Sequence, residues 1–193
     1  FIYLVVNVIF IKIWFQELSC RICGKNVSTV LDLGISPPAN ALLDEPVNNI
    51  EKFPLVLEFC ENCGNLQLRD CLEINKLYKY YFYETPKSNT LENHYKVLTS
   101  FLEQKGYLNK NSDVLEIGSN LGLYLNFIKK RVNNILGIDP AENIVKKAND
   151  NGIPTLCNFF SEELAVDLKK NEKIFDVLIA RHCFAHNSSP NNL

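Results

Sequence analysis

The stretch that decides the fold is "DVLEIGSNLG", Asp113 to Gly122. A short apolar run carrying one acid breaks into a turn bounded by Gly118 and Gly122, as a strand does when it delivers the chain to a ligand. The segments that follow alternate in type. "LYLNFIKKR" reads as a helix, "NILGID" as a strand, "AENIVKKANDNG" as a helix stopped at Gly152, and "PTLCNFF" as a strand. "SEELAVDLKK" reads as a helix capped by Ser161, and "FDVLIA" as a fourth strand. Strict alternation predicts parallel strands with right-handed crossovers, so residues 111–193 read as half of a doubly wound, Rossmann-like α/β sheet.

In such a sheet the ligand lies beyond the carboxyl ends of the strands, at the switch point, here the loop after "DVLEI". A dinucleotide site needs G-x-G-x-x-G, and the second of those glycines is replaced by Asn120, which speaks against a phosphate cradle. Glu116 at the strand end suits a ligand with positive charge, and Asp139 at the end of the next strand can accept both hydroxyls of a ribose. A ribose acid, a glycine-bounded turn and a nearby carboxylate together point to S-adenosylmethionine, whose methionine end bears ammonium and sulfonium.

Upstream, Cys20 and Cys23 form "CRICG" and Cys60 and Cys63 form "CENCG", each pair followed by glycine. Two such pairs can surround one tetrahedral Zn²⁺ in a closed, structural site. A disulfide pair or four unpaired thiols are the alternatives. The gap of 36 residues between the pairs requires a small folded insert, and "FPLVLEFC" with "NLQLRDC" is expected to form a hairpin across Asn62–Asn65. Such a module, residues 18–75, has little core of its own, so metal binding is expected to supply much of its folding free energy. Cys71, Cys157 and Cys183 lack such partners and read as buried small apolar residues.

Residues 76–110 form an aromatic linker and a helix. Leu91, Tyr95, Leu98 and Leu102 fall on one helical face that ends at Gly106. Six of the eight tyrosines lie between Tyr78 and Tyr107, either as packing or as the wall of a pocket. The opening residues 1–17 are almost wholly apolar, yet too short to span a bilayer and interrupted by Lys12. Together with the initial Phe and the absence of Met, they read as a strand or a non-native extension of a fragment. A net charge of −2, with no block of like charges, argues against nucleic acid or a membrane surface as partner and points to a small-molecule ligand; a cytoplasmic location is expected. The oligomeric state stays open.

The run "CRICG … LDLGISPPANALL … CENCGNLQL", then "YFYETPKSNTLENHY", then "VLEIGSNLG … GIDPAENI … FDVLIARHCFAH" resembles the zinc-containing S-adenosylmethionine-dependent C-methyltransferases that act on nucleotide-linked deoxysugars. The resemblance implies cofactor contacts at Glu116, Gly118, Ser119, Asn120, Gly122 and Asp139, with "CNFF" near the adenine. It implies methylation at a carbon next to a sugar ketone, through an enolate. Tyr81, Tyr83 and His186 are the expected catalytic groups, with His182 a lesser candidate and His94 a packing residue. Family members continue into a further half-sheet and a domain with a His-Glu-His-type stretch, so the chain is expected to be an incomplete, inactive piece. Leu121 stands where the family pattern usually has Asp, which predicts weakened cofactor affinity. Another small hydroxy or keto substrate, or a catalytically degenerate zinc-bearing binding protein, are the alternatives.

Overall fold

The computed structural model describes residues 19–39, 45 and 49–192. The apolar opening segment and residues 40–43 of "LDLGISPPANALL" lie outside the described residues. The first sheet is antiparallel, with strands β1 (Ser28–Ser36), β2 (Phe53–Phe59) and β3 (Leu66–Leu68) in the order β1-β2-β3. The expected hairpin is present, with Leu57 opposite Leu68 and Phe59 opposite Leu66, and the Cys60–Cys63 knuckle forms its turn. The insert between the cysteine pairs contains β1 and β2. Burial here is sparse: Val30, Leu33 and Ile35 of β1 are each more than half exposed, while Val56 and Glu58 of β2 are buried.

A short helix α1 (Ile74–Tyr78) leads into an extended segment, residues 79–88, and then into helix α2 (Asn89–Gln104). Ser88 caps α2, its Oγ accepting from the Leu91 amide at 3.2 Å. The predicted face forms as expected: Tyr95 enters the core and Leu91, Leu98 and Leu102 pack against it.

The second sheet is parallel, built from β4 (Asp113–Ile117), β5 (Asn134–Asp139), β6 (Thr155–Cys157) and β7 (Val177–Ala180) in the order β6-β5-β4-β7. Helices α3 (Leu123–Ile128), α4 (Glu142–Asp150) and α5 (Glu162–Lys170) alternate with them. Successive residues of β4 point to opposite faces. Val114 joins a cluster with Tyr95, Tyr124, Leu125 and Ile179, whereas Leu115 joins Leu136, Ile138 and Leu168. The chain runs outward from β4 through β5 to β6 and then crosses back to β7, so the switch point lies between β4 and β7, as the alternation predicted.

Two expectations need correction. "PTLCNFF" is a strand only over Thr155–Cys157, after which Asn158, Phe159 and Phe160 leave the sheet. Cys71 and Cys157 are exposed and Cys183 only half-buried. Cys71 follows a module that offers no core to enter, and Cys157 ends an edge strand. Among the described residues no helix is long and apolar enough to cross a membrane.

Candidate functional site

The turn after β4 is shaped by its own backbone. The amides of Gly118 and Ser119 both donate to the Ile138 carbonyl, at 2.8 and 3.1 Å, which folds the turn back over the end of β5. Gly118 has φ +66, and a Cβ there would stand 2.8 Å from Cβ of Cys183. Gly122, φ +67, starts α3 against Ile153, whose methyl a Cβ would meet at 2.5 Å. Both positions therefore require glycine twice over, for the left-handed backbone and for the close approach.

Asp139 ties the two loops together. Its Oδ2 accepts from the Asn120 amide at 2.9 Å and its Oδ1 from the Ala141 amide at 3.0 Å. Burial nonetheless pushes its pKa upward. Each oxygen keeps a lone pair, so the carboxylate can still receive two hydroxyls.

Above the turn runs the tyrosine-rich segment 79–88, held by two asparagine side chains that act as partners for an extended strand. Asn143 accepts from the Tyr81 amide at 3.0 Å and donates to the Tyr81 carbonyl at 2.8 Å. Asn120 accepts from the Thr85 amide at 2.8 Å and donates to the Tyr83 carbonyl at 3.0 Å. Lys147 pairs with Glu84 on the same strap. Asn120 itself has φ +50, which asparagine tolerates better than most residues. Its carboxamide, expected to face a cofactor, is thus engaged in docking the strap.

Strap, turn and the loop after β7 enclose a cavity of about 790 Å³, within the range of small-molecule sites. Gly118, Ser119, Asn120 and Asp139 line one side, with Phe159 and Phe160 beyond them. Tyr81, Tyr83 and His186 line the other, as do His94 and His182. The edge contacts between the rings of Tyr78, Tyr81 and Tyr83, at 5.5 and 6.3 Å between centroids, make the tyrosine cluster a wall rather than core packing. Glu116, Gly122 and Leu121 are not among the lining residues.

Glu116 lies beneath the turn, 1% exposed, and receives Nε and Nη2 of Arg181 on a single oxygen at 2.9 and 2.6 Å. Burial raises its pKa to about 7 even though the arginine pulls the other way. Among the described residues, its second oxygen, Oε2, and the Ser119 hydroxyl are buried without a hydrogen-bond partner. Arg181 lines the cavity and was missed in the sequence. The available signal was a cation just past the end of β7, the strand paired with the one that carries Glu116.

The four cysteines come together beside the first sheet. Their sulfurs all lie within 4.8 Å of one another, with Cys20 to Cys63 and Cys23 to Cys60 each 3.5 Å apart. The two knuckles repeat one backbone pattern: the Gly24 amide donates to the Cys20 carbonyl and the Gly64 amide to that of Cys60, both at 2.8 Å. Asn62 and Asn65 point amide nitrogens at the sulfurs of Cys23 and Cys20, at 3.5 and 3.6 Å. Although burial opposes it, the amides of Cys23 and Ile22 bring Cys20 down to about 6. Cys63, despite the Asn65 amide, is pushed up to about 12 by burial and by its three neighbouring sulfurs. Four thiols this close cannot all ionise without a cation between them, and a soft divalent ion in tetrahedral coordination fits the set. One further link ties this site to the segment after β7: Asn191 donates to the carbonyls of Arg21 and Ile22 in the first knuckle, at 3.4 and 2.9 Å.

Residues 20–78 match the family model described as "Putative zinc binding domain", and residues 90–193 match the "Methyltransferase domain" model. The C-methyltransferase NovU of Streptomyces niveus is 28% identical over 170 residues, which is 86% of this chain and 40% of that protein. The chain therefore spans about 40% of the length of this curated relative. Among solved structures, YcgJ of Bacillus subtilis aligns at 16% identity and a TM-score of 0.38, over 50% of this chain and 41% of its own. The plantazolicin methyltransferase BpumL in complex with SAH aligns at 23% identity and a TM-score of 0.35, over 54% and 45%.

Proposed function

The chain belongs to the methyltransferase-domain family, and from that premise we propose that its cavity binds S-adenosylmethionine and serves the C-methylation of a small keto compound, a nucleotide-linked keto-deoxysugar being the best fit. One observation carries the reading: the glycine-bounded turn and Asp139 share a single cavity with Tyr81, Tyr83 and His186, at the switch point of a parallel sheet. Ser119 and Asn120 form the floor against which the donor's methionine end would rest. Asp139 would accept the ribose hydroxyls, and Asn158, Phe159 and Phe160 would flank the adenine.

The donor supplies a methyl group on sulfur, and the C–S electron pair leaves with the sulfur when a carbon nucleophile attacks. His186 removes a proton from the carbon beside the ketone, generating that nucleophile as an enolate. A hydroxyl of Tyr81 or Tyr83 donates to the enolate oxygen while the negative charge sits there. The strap, held at Tyr81, Tyr83 and Thr85 by the two asparagines, keeps water from the acidic carbon. Zinc has a structural part only, because four thiolates close its coordination.

The test is calorimetric titration of the zinc-loaded protein with S-adenosylmethionine, followed by incubation with candidate keto-sugars in deuterated water. Binding together with deuterium entering the carbon beside the ketone supports the reading. Failure to bind the donor overturns it, and binding without exchange in any ketone moves it to oxygen or nitrogen methylation.

A further inference from the structure

Arg181 has no part in the steps above, yet it is firmly held in the cavity wall. It follows β7 directly, with 17% of its side chain exposed. Its guanidinium is fixed from several sides: two of its nitrogens donate to Glu116, and its plane lies 4.6 Å from the Tyr124 ring centroid and 4.9 Å from that of Tyr95. A long flexible side chain is thereby set in one orientation before any ligand arrives, so binding need not freeze it. Tyr124 is held in turn, its hydroxyl 3.3 Å from that of Thr99.

The charge pattern of the cavity states what this group is for. Among the described residues that line it, Arg181 is the one arginine or lysine and Asp139 the one aspartate or glutamate. A ligand that fills the cavity meets a single permanent cation among the described residues. The adenine and ribose of the methyl donor are uncharged, and its ammonium and sulfonium are positive. Its α-carboxylate is its sole anion, and a guanidinium fork matches a carboxylate in shape as well as charge. We propose that Arg181, clamped by Glu116, Tyr95 and Tyr124, is the receptor for the α-carboxylate of the donor's methionine end. This inference rests on the donor reading above and assigns a partner to the donor's one negative charge. Glu116 then serves as the positioning residue that aims the arginine.

The zinc-loaded protein is titrated with S-adenosylmethionine and with decarboxylated S-adenosylmethionine, which differ in that carboxylate alone. In the wild type the carboxylate form should bind at least tenfold tighter, as a charge-assisted pair implies. Arg181→Met should collapse that ratio to near one by weakening only the carboxylate form, with Arg181→Lys intermediate. Because Arg181→Met leaves Glu116 buried without its partner, the double variant E116Q/R181M is measured as well. The ratio within each variant cancels any general loss of folded protein, and it should again be near one. A ratio that survives in both methionine variants, or a wild type that does not distinguish the two ligands, overturns the assignment while leaving the donor reading intact. A wild type that binds neither ligand overturns the donor reading itself.

Discussion

The two sheets of this protein hold together by different physics. The antiparallel sheet leaves most of β1 exposed and gathers its buried groups around four sulfurs, whereas the parallel sheet has an apolar cluster on each face. Three short strands with one buried valine cannot offset the conformational entropy of ordering some fifty residues at about 1–2 kcal/mol each, so a metal must supply the difference. The parallel sheet needs no such help, because Tyr124, Leu125 and Ile128 from one short helix are all fully buried against it. The lesson is that one chain can contain a unit whose fold is conditional on an ion and a unit whose fold is not.

The strongest way to break that contrast is to remove the metal. Changing Cys20 and Cys60 together to Ser should abolish about one zinc per chain, measured by elemental analysis, as four-cysteine coordination requires. It should also forfeit most of the roughly 10–16 kcal/mol that a structural zinc site contributes. Limited proteolysis should then cut within residues 19–78 while residues 111–192 stay protected. Equal resistance of both regions without zinc would end the comparison.

The converse experiment empties the parallel core. Leu125→Ala, at a fully buried site, should cost about 2–5 kcal/mol in denaturant unfolding followed by far-UV circular dichroism, with zinc content unchanged. Loss of zinc from this variant would mean that the two units fold as one.

Titration sharpens the comparison further through Glu116, a buried carboxylate of the parallel unit. Its folded pKa is raised to about 7, so the folded state holds the proton more tightly than the unfolded chain does. Its contribution to stability is therefore complete below about pH 4.5 and is lost as pH rises through 7. Glu116→Gln should flatten the fall in stability between those values, and an unchanged slope would show that the group is ionised throughout.

A smaller effect is expected at the strap. Asn120→Ala removes two hydrogen bonds to residues 83 and 85 and should cost about 1–3 kcal/mol locally. Hydrogen exchange of the Thr85 amide should quicken while that of the β4 amides does not.

The smallest expected effect lies at the join. Asn191→Ala should lower overall stability by about 0.5–1.5 kcal/mol. Through these bonds chelation of the unaltered protein is expected to lower donor affinity, and the variant should lose that dependence. Undiminished coupling in this variant would place the link elsewhere.

Local pattern made much of this legible. The cysteine spacing announced one metal site because the two knuckles are built by hydrogen bonds within five residues, and the structure closes both in the same way. The strand–helix alternation likewise placed the switch point, since periodicity is a property of neighbouring residues. The apolar face Leu91, Tyr95, Leu98 and Leu102 was readable for the same reason.

What local pattern could not supply was the destination of each polar side chain. Glu116 was read as an acid facing a cation of the ligand. In the folded chain it is occupied by Arg181, 65 residues away, and stands below the cavity rather than on its wall. Asn120 was read through the glycine it replaces, whereas its carboxamide docks a strap 35 residues upstream. Leu121, suspected of weakening the cofactor site, does not line the cavity, so Asp at that position should bring no gain in donor affinity.

The sequence by itself therefore determined the strand–helix alternation of the parallel sheet, where the turn falls and which four thiols share an ion. Spacing alone controls backbone periodicity and knuckle geometry. Only the tertiary structure decided which charges meet, because a buried acid takes whichever partner the crossing of β4 and β7 brings within 3 Å, and that partner lies far along the chain.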